Sequence, residues 1–109
     1  MEKNIKKFEE TWTADGKKLG LTQSLFHREN EIKPTLQLYA SYVEIADFEY
    51  GEVFFVPTDF ITARDVDDEG GLKLTVKYDE VMNRTWFRMP DFIAFGQSRK
   101  EELTSSQVG

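Results

Sequence analysis

The most apolar run in the chain, Phe54-Phe55-Val56-Pro57-Thr58-Asp59-Phe60-Ile61, has a proline at its centre, and this limits the fold more than any other feature. Proline has no amide hydrogen to give to a ladder and holds the preceding residue extended, so a strand through "EVFFV" (52–56) has to stop at Pro57. The following "PTDFI" reads as a tight corner, with Thr58 and Asp59 as cap-forming residues and Phe60 and Ile61 returning to the core. "EVFFV" is apolar on both parities, which predicts a strand covered on both faces or one that closes a small barrel.

Turn signals on either side of this run separate further β-rich segments. Asp15-Gly16 predicts a mirror-image hairpin turn between "KFEETWT" and "KLGLTQSLF", and Gly20 within the second flank predicts a bulge or a close backbone approach. "HRENEIKP" (27–34) is polar, ends in proline and reads as a loop. In "TLQLYASYVEIADFEYGE", Leu36, Leu38, Ala40 and Tyr42 share one parity while Val43 and Ile45 share the other. That switch predicts a bulge near Ser41 and a sheet that curls. "LKLTVK" alternates cleanly, so Leu72, Leu74 and Val76 face inward, and residues 79–83 are expected to make one helical turn capped by Asp79.

The chain has 109 residues, enough for one domain with a single core; residues 8–96 are read as that domain, 1–7 as an N-terminal extension and 97–109 as a polar, disordered tail. No apolar stretch approaches the roughly 18 residues of a spanning helix, and there is no cysteine, so a cytoplasmic protein without membrane insertion is expected. A formal charge of -6 argues against nucleic-acid binding, although Lys3, Lys6, Lys7, Lys17 and Lys18 crowd the first part of the chain.

The order of these motifs resembles the PRC-barrel family, especially its stand-alone bacterial members. The resemblance rests on Asp15, Gly16 and Gly20 of the opening hairpin, on Phe55, Val56, Pro57 and Ile61 of the corner, and on Leu72, Leu74, Val76, Asp79, Glu80 and Val81; it covers roughly residues 8–93. It implies a mainly β fold, a small, mostly antiparallel β-barrel with at most one or two short helical turns. It also implies a non-enzymatic module that holds other macromolecules, since known members include the cytoplasmic domain of the photosynthetic reaction centre H subunit and the C-terminal half of a ribosome maturation factor. A fold does not carry its function over, and the chain lacks the membrane helix of the first and the N-terminal domain of the second.

The chain offers few residues for reaction chemistry. The single histidine, His27, sits in a polar segment and reads as a surface residue, and with no cysteine and one histidine the ligands for zinc fall short. No catalytic residue, metal or cofactor is therefore assigned. "DVDDEGG" (65–71) matches a calcium loop at Asp65, Asp67, Glu69 and Gly70, but the template's twelfth position falls on Val76, so an acidic hairpin turn is the expected reading. Asn83-Arg84-Thr85 matches a glycosylation acceptor that stays idle in a chain that is not secreted. Carboxylate pairs such as Glu44 with Asp47 or Glu49 with Glu52 are common by chance among 20 acidic residues.

What remains is a surplus of rings: Phe48, Tyr50, Phe54, Phe55, Trp86, Phe87, Phe92 and Phe95 exceed what a small barrel encloses with ease. Either they form an exposed contact surface, or "MPDFIAF" folds back to make a second small core. The expected function is binding of a protein partner, itself in a homodimer among the possibilities, with Trp86, Phe92, Phe95, Phe48 and Tyr50 as contact residues. The rival is a small-molecule-binding barrel or enzyme whose mouth is lined by Tyr39, Tyr42 and Glu44.

Overall fold

The computed structural model describes residues 5–29, 39–62 and 71–103. They form a mainly β structure with one mixed sheet of six strands and two short helices. The strands are β1 (Glu10–Trp12), β2 (Lys18–Arg28), β3 (Ser41–Asp47), β4 (Glu52–Pro57), β5 (Leu72–Lys73) and β6 (Ser98–Glu102). Their order is β4-β3-β2-β1-β5, and β6 pairs with β2 beyond the end of β1. The 11-residue β2 is thus the spine of the sheet, and His27 and Arg28, read as loop from sequence, are its last two residues.

The pairings are mostly antiparallel, as expected; the exception is β1 with β5, which run parallel, with Thr11 opposite Leu72. Hairpins enforce antiparallel neighbours, and β5 meets β1 with no hairpin between them. The expected barrel needs correction, because the sheet does not close. Its end strands β4 and β5 are tied through an isolated bridge, Ile61 opposite Leu74, where Thr62 N–H donates to the Lys73 carbonyl and Thr75 N–H to the Phe60 carbonyl, each at 2.8 Å.

Pro57 behaves as its chemistry dictates. It is the last residue of β4, opposite Tyr42, and the chain turns at once into a single 3-10 turn, Thr58–Phe60. Ile61 N–H closes that turn on the Thr58 carbonyl at 3.1 Å, and the expected side-chain caps from Thr58 and Asp59 are not made. The parity rule explains the doubly apolar strand: Phe54 and Val56 pair with Ile45 and Val43 on one face, while Val53 and Phe55 point to the other. The first face carries the main core, including Val43, Ile45, Phe54, Val56, Leu72, Leu74 and Val81. The second carries a smaller core of Phe26, Phe55 and Phe92, with Tyr42, Val53 and Ile93 packed against it.

The β1–β2 hairpin forms as expected, but its turn is not mirror-image. Gly16 alone is left-handed (φ 84°), and its N–H donates to the Thr13 carbonyl while Thr13 N–H bonds to the Lys17 carbonyl, a three-residue loop ending in glycine. Gly20 is the predicted close approach. The bulge foreseen at Ser41 is instead on β2, where Thr22 faces Ile45 and Ser24 faces Glu44, leaving Gln23 unmatched. Ser41 is simply where β3 starts, which removes the need for a bulge there; Leu36 and Leu38 lie outside the described residues.

Helix α1 (Tyr78–Asn83) occupies the predicted turn, but Asp79 is not its cap. Lys77 N–H donates to Glu80 Oε1 at 3.2 Å, and Tyr78 N–H donates to Asp15 Oδ1 at 3.0 Å from the hairpin. Thr13 Oγ1 also donates to Asp15 Oδ1, at 2.5 Å. These bonds, the Thr13 hydroxyl first, hold the Asp15 carboxyl below its ordinary value of 3.8. A depressed folded value means stabilisation that is complete above the unfolded value and lost as pH falls through the folded one. Acid unfolding followed by circular dichroism is therefore expected to show a steeper loss below about pH 4 in the wild type than in Asp15→Asn, which starts from lower stability at neutral pH.

The C-terminal part departs most from expectation. Helix α2 (Asp91–Ala94) is followed by Gly96 in the left-handed region (φ 73°), and Gln97 N–H closes on the Phe92 carbonyl at 2.7 Å. The turn sends Ser98–Glu102 back along β2 as β6, so the segment read as a disordered tail from 97 is strand through 102. Residues 5–7, read as an extension, are tied in as well. Ile5 packs on the main core, Thr22 Oγ1 donates to the Lys6 carbonyl, and Lys6 N–H donates to Glu9 Oε1 at 2.8 Å.

Candidate functional site

The five expected contact residues divide by environment. Trp86 (6% exposed) and Phe92 (3%) are core residues rather than rings that stand out at the surface. Trp86 is buried by the end of α1: Thr85 adopts a left-handed φ of 55°, and Trp86 N–H bonds to the Val81 carbonyl at 3.2 Å, which folds the indole against the core. Phe92 is the inward residue of α2 and completes the second core, so the fold-back alternative holds for Phe92, while Trp86 belongs to the main core. Phe48 (67% exposed), Tyr50 (75%) and Phe95 (74%) remain at the surface.

These three do not form one patch. Phe48 and Tyr50 occupy the turn that joins β3 to β4, next to Gly20 and Leu21. Phe95 follows α2, which packs by the other end of β2. The β3–β4 turn is well braced, since Asp47 Oδ1 accepts Glu49 N–H at 2.9 Å and Gly51 N–H reaches the Asp47 carbonyl at 2.8 Å. Two rings thus stand out on a fixed backbone, flanked by Asp47, Glu49 and Glu52.

At the far end of β3 lies a cleft of about 410 Å³ that sequence reasoning missed. Arg28, Arg84 and Arg88 line it over a floor that includes Tyr42, Trp86 and Phe92. Each guanidinium lies over rings: Arg28 is 4.1 Å from the Phe92 centroid, Arg84 5.1 Å from Phe60 and 5.4 Å from Trp86, and Arg88 5.8 Å from Phe87. Arg28 Nε also donates to the Tyr39 carbonyl at 3.2 Å. Among the described residues none of the three forms an ion pair, and Asp91 is the acidic residue lining the cleft. Burial pushes the Tyr42 phenol above its ordinary value, with Arg28 opposing the shift. Of the mouth residues foreseen for a small-molecule site, Tyr42 lines this cleft and Tyr39 and Glu44 do not. The signal in the sequence was "RTWFR" (84–88), arginines interleaved with rings in an otherwise acidic chain.

His27 is less solitary than its sequence context suggests. Its Nδ1 lies 2.7 Å from Ser41 Oγ and its Nε2 2.8 Å from Glu101 Oε1. A hydroxyl, an imidazole and a carboxylate in line have the connectivity of a nucleophile, base and orienting acid. The setting does not supply the rest of that chemistry. Ser41 and His27 are cross-strand partners, and β2 is laddered on both sides here, to β3 and β6, so the local amides are directed into the sheet rather than at an oxyanion. The three groups act as a polar clasp across three strands. Among the described residues no three His, Asp or Glu side chains gather as metal ligands, and the acidic segment 65–70 lies outside those residues. Among the described residues no helix is long and apolar enough to cross a membrane.

Compared with protein-family models, with curated proteins and with solved structures, the chain matches none.

Proposed function

We propose that the chain is a non-enzymatic interaction module that docks a protein partner through the β3–β4 turn, a second copy of the chain being that partner. The observation that carries this reading is the pair Phe48 and Tyr50, two large rings 67% and 75% exposed on a braced turn. Exposed rings on a rigid element cost little entropy on docking and bury much apolar area. The PRC-barrel resemblance is consistent with it. Support for a barrel-like curl comes from the Ile61–Leu74 bridge beyond Pro57, which draws the two sheet edges toward each other, and from Gly20 at the close crossing.

Sedimentation equilibrium of the wild type at micromolar concentration is expected to give a mass above the 12.7 kDa of one chain. The double variant Phe48→Ala/Tyr50→Ala is expected to weaken association by about 30-fold, corresponding to about 2 kcal/mol for a central aromatic pair. Its melting temperature should stay near that of the wild type, since neither ring is in a core. Equal association of both proteins would overturn the reading.

A further inference from the structure

The arginine cleft and the acidic turn stand at opposite ends of β3. Tyr42, at the cleft, is five residues from Asp47, at the turn, which is about 17 Å at roughly 3.3 Å per strand residue. One copy cannot fold its own turn into its own cleft. Two copies with their sheets antiparallel about a two-fold axis can each place the turn in the other's cleft, and such an interface closes on itself.

The chemistry of the two ends matches. In the cleft, the Arg28 and Arg84 guanidiniums lie over rings, and Arg28 spends Nε on the Tyr39 carbonyl, which leaves the remaining guanidinium N–H groups as donors for carboxylates. Three cations are offset there by one lining acid, Asp91, in a chain whose net charge is -6. In the turn, Asp47 spends one oxygen on Glu49 and Tyr50 N–H groups, while Glu49 and Glu52 have no ion pair among the described residues. Phe48 and Tyr50 bring rings to a cleft whose floor is itself aromatic. Thr85, a β-branched residue held at φ 55° between Arg84 and Trp86, is the strained point that sets Arg84 beside the indole.

We infer that the cleft of Arg28, Arg84 and Arg88 is the receptor for the acidic aromatic turn, Asp47 to Glu52, of a second copy of the chain. This rests on the reading of the turn as the docking element. It adds a receptor, and with it a reciprocal dimer in which two identical contacts form at once.

Reciprocal charge reversal tests it. Arg84→Glu/Arg88→Glu makes cleft and turn both acidic; Glu49→Arg/Glu52→Arg makes both basic. All four side chains are exposed, and circular dichroism and melting temperature verify that each variant is folded. In sedimentation velocity each variant alone is expected to be a monomer, at least tenfold weaker in association than the wild type. An equimolar mixture is expected to recover the dimer, because both contacts of the mixed pair join opposite charges. If the arginine variant dimerises like the wild type, or the mixture stays monomeric, the cleft is not the receptor, while the role of the turn stands on the Phe48/Tyr50 result. A monomeric wild type overturns both.

Discussion

Gly20→Ala is expected to destabilise the fold by about 3 kcal/mol or more, measured by urea denaturation. Gly20 has φ 147°, a region other residues avoid, and a Cβ there would lie 2.4 Å from the Ala46 carbonyl oxygen, 2.6 Å from its carbon and 2.8 Å from Asp47 N. All three are backbone atoms of β3, so no side chain can swing aside. Relief requires β2 and β3 to part next to the β3–β4 turn, so the same substitution should loosen Phe48 and Tyr50. A loss below about 1 kcal/mol would mean that the strands are not this close.

Trp86→Ala is expected to cost about 3–5 kcal/mol, the range for deleting a buried aromatic side chain. The indole is packed in the main core, meets the Phe60 ring at 4.9 Å between centroids and lies under the Arg84 guanidinium. A residue at the surface of an interface would behave in the opposite way, leaving the melting temperature in place and lowering association. Urea denaturation at a concentration where the wild type is monomeric separates the two. An unchanged midpoint would contradict the placement of Trp86 in the core.

Much of the sheet was legible because it is written in local chemistry. Asp15-Gly16 marks the first hairpin, Pro57 ends β4, and the alternation Leu72, Leu74, Val76 gives the inward face. The apolar parity of Val53 to Val56 correctly implied a strand covered on both sides. The C-terminal strand was not legible, because Ser-Arg-Lys-Glu-Glu buries no apolar side chain. It is held by its ladder to β2 and by the His27–Glu101 contact, and hydropathy is blind to both. The parallel pairing of β1 and β5 is a property of topology, with no residue that announces it.

The candidate site was half legible for a related reason. Phe48 and Tyr50 sit in a short polar turn where a ring has nowhere to hide, so their exposure follows from position. Trp86 and Phe92 look the same in composition, but one follows a left-handed Thr85 and the other faces inward from a four-residue helix; each is buried by backbone geometry that an aromatic count does not carry. The arginine cleft is assembled from β2 and from the segment after α1, some fifty residues apart in sequence, so its charge becomes visible only once the sheet has brought them together.

The β3–β4 turn is proposed as the docking element of a self-associating module. Hydroxyl-radical footprinting of the wild-type protein, dilute and then concentrated, reads that turn directly. Phe48 and Tyr50 are expected to lose reactivity on concentration while the equally exposed Phe95 keeps its own. Unchanged reactivity of Phe48 and Tyr50, or protection of Phe95 in their place, would contradict this docking role.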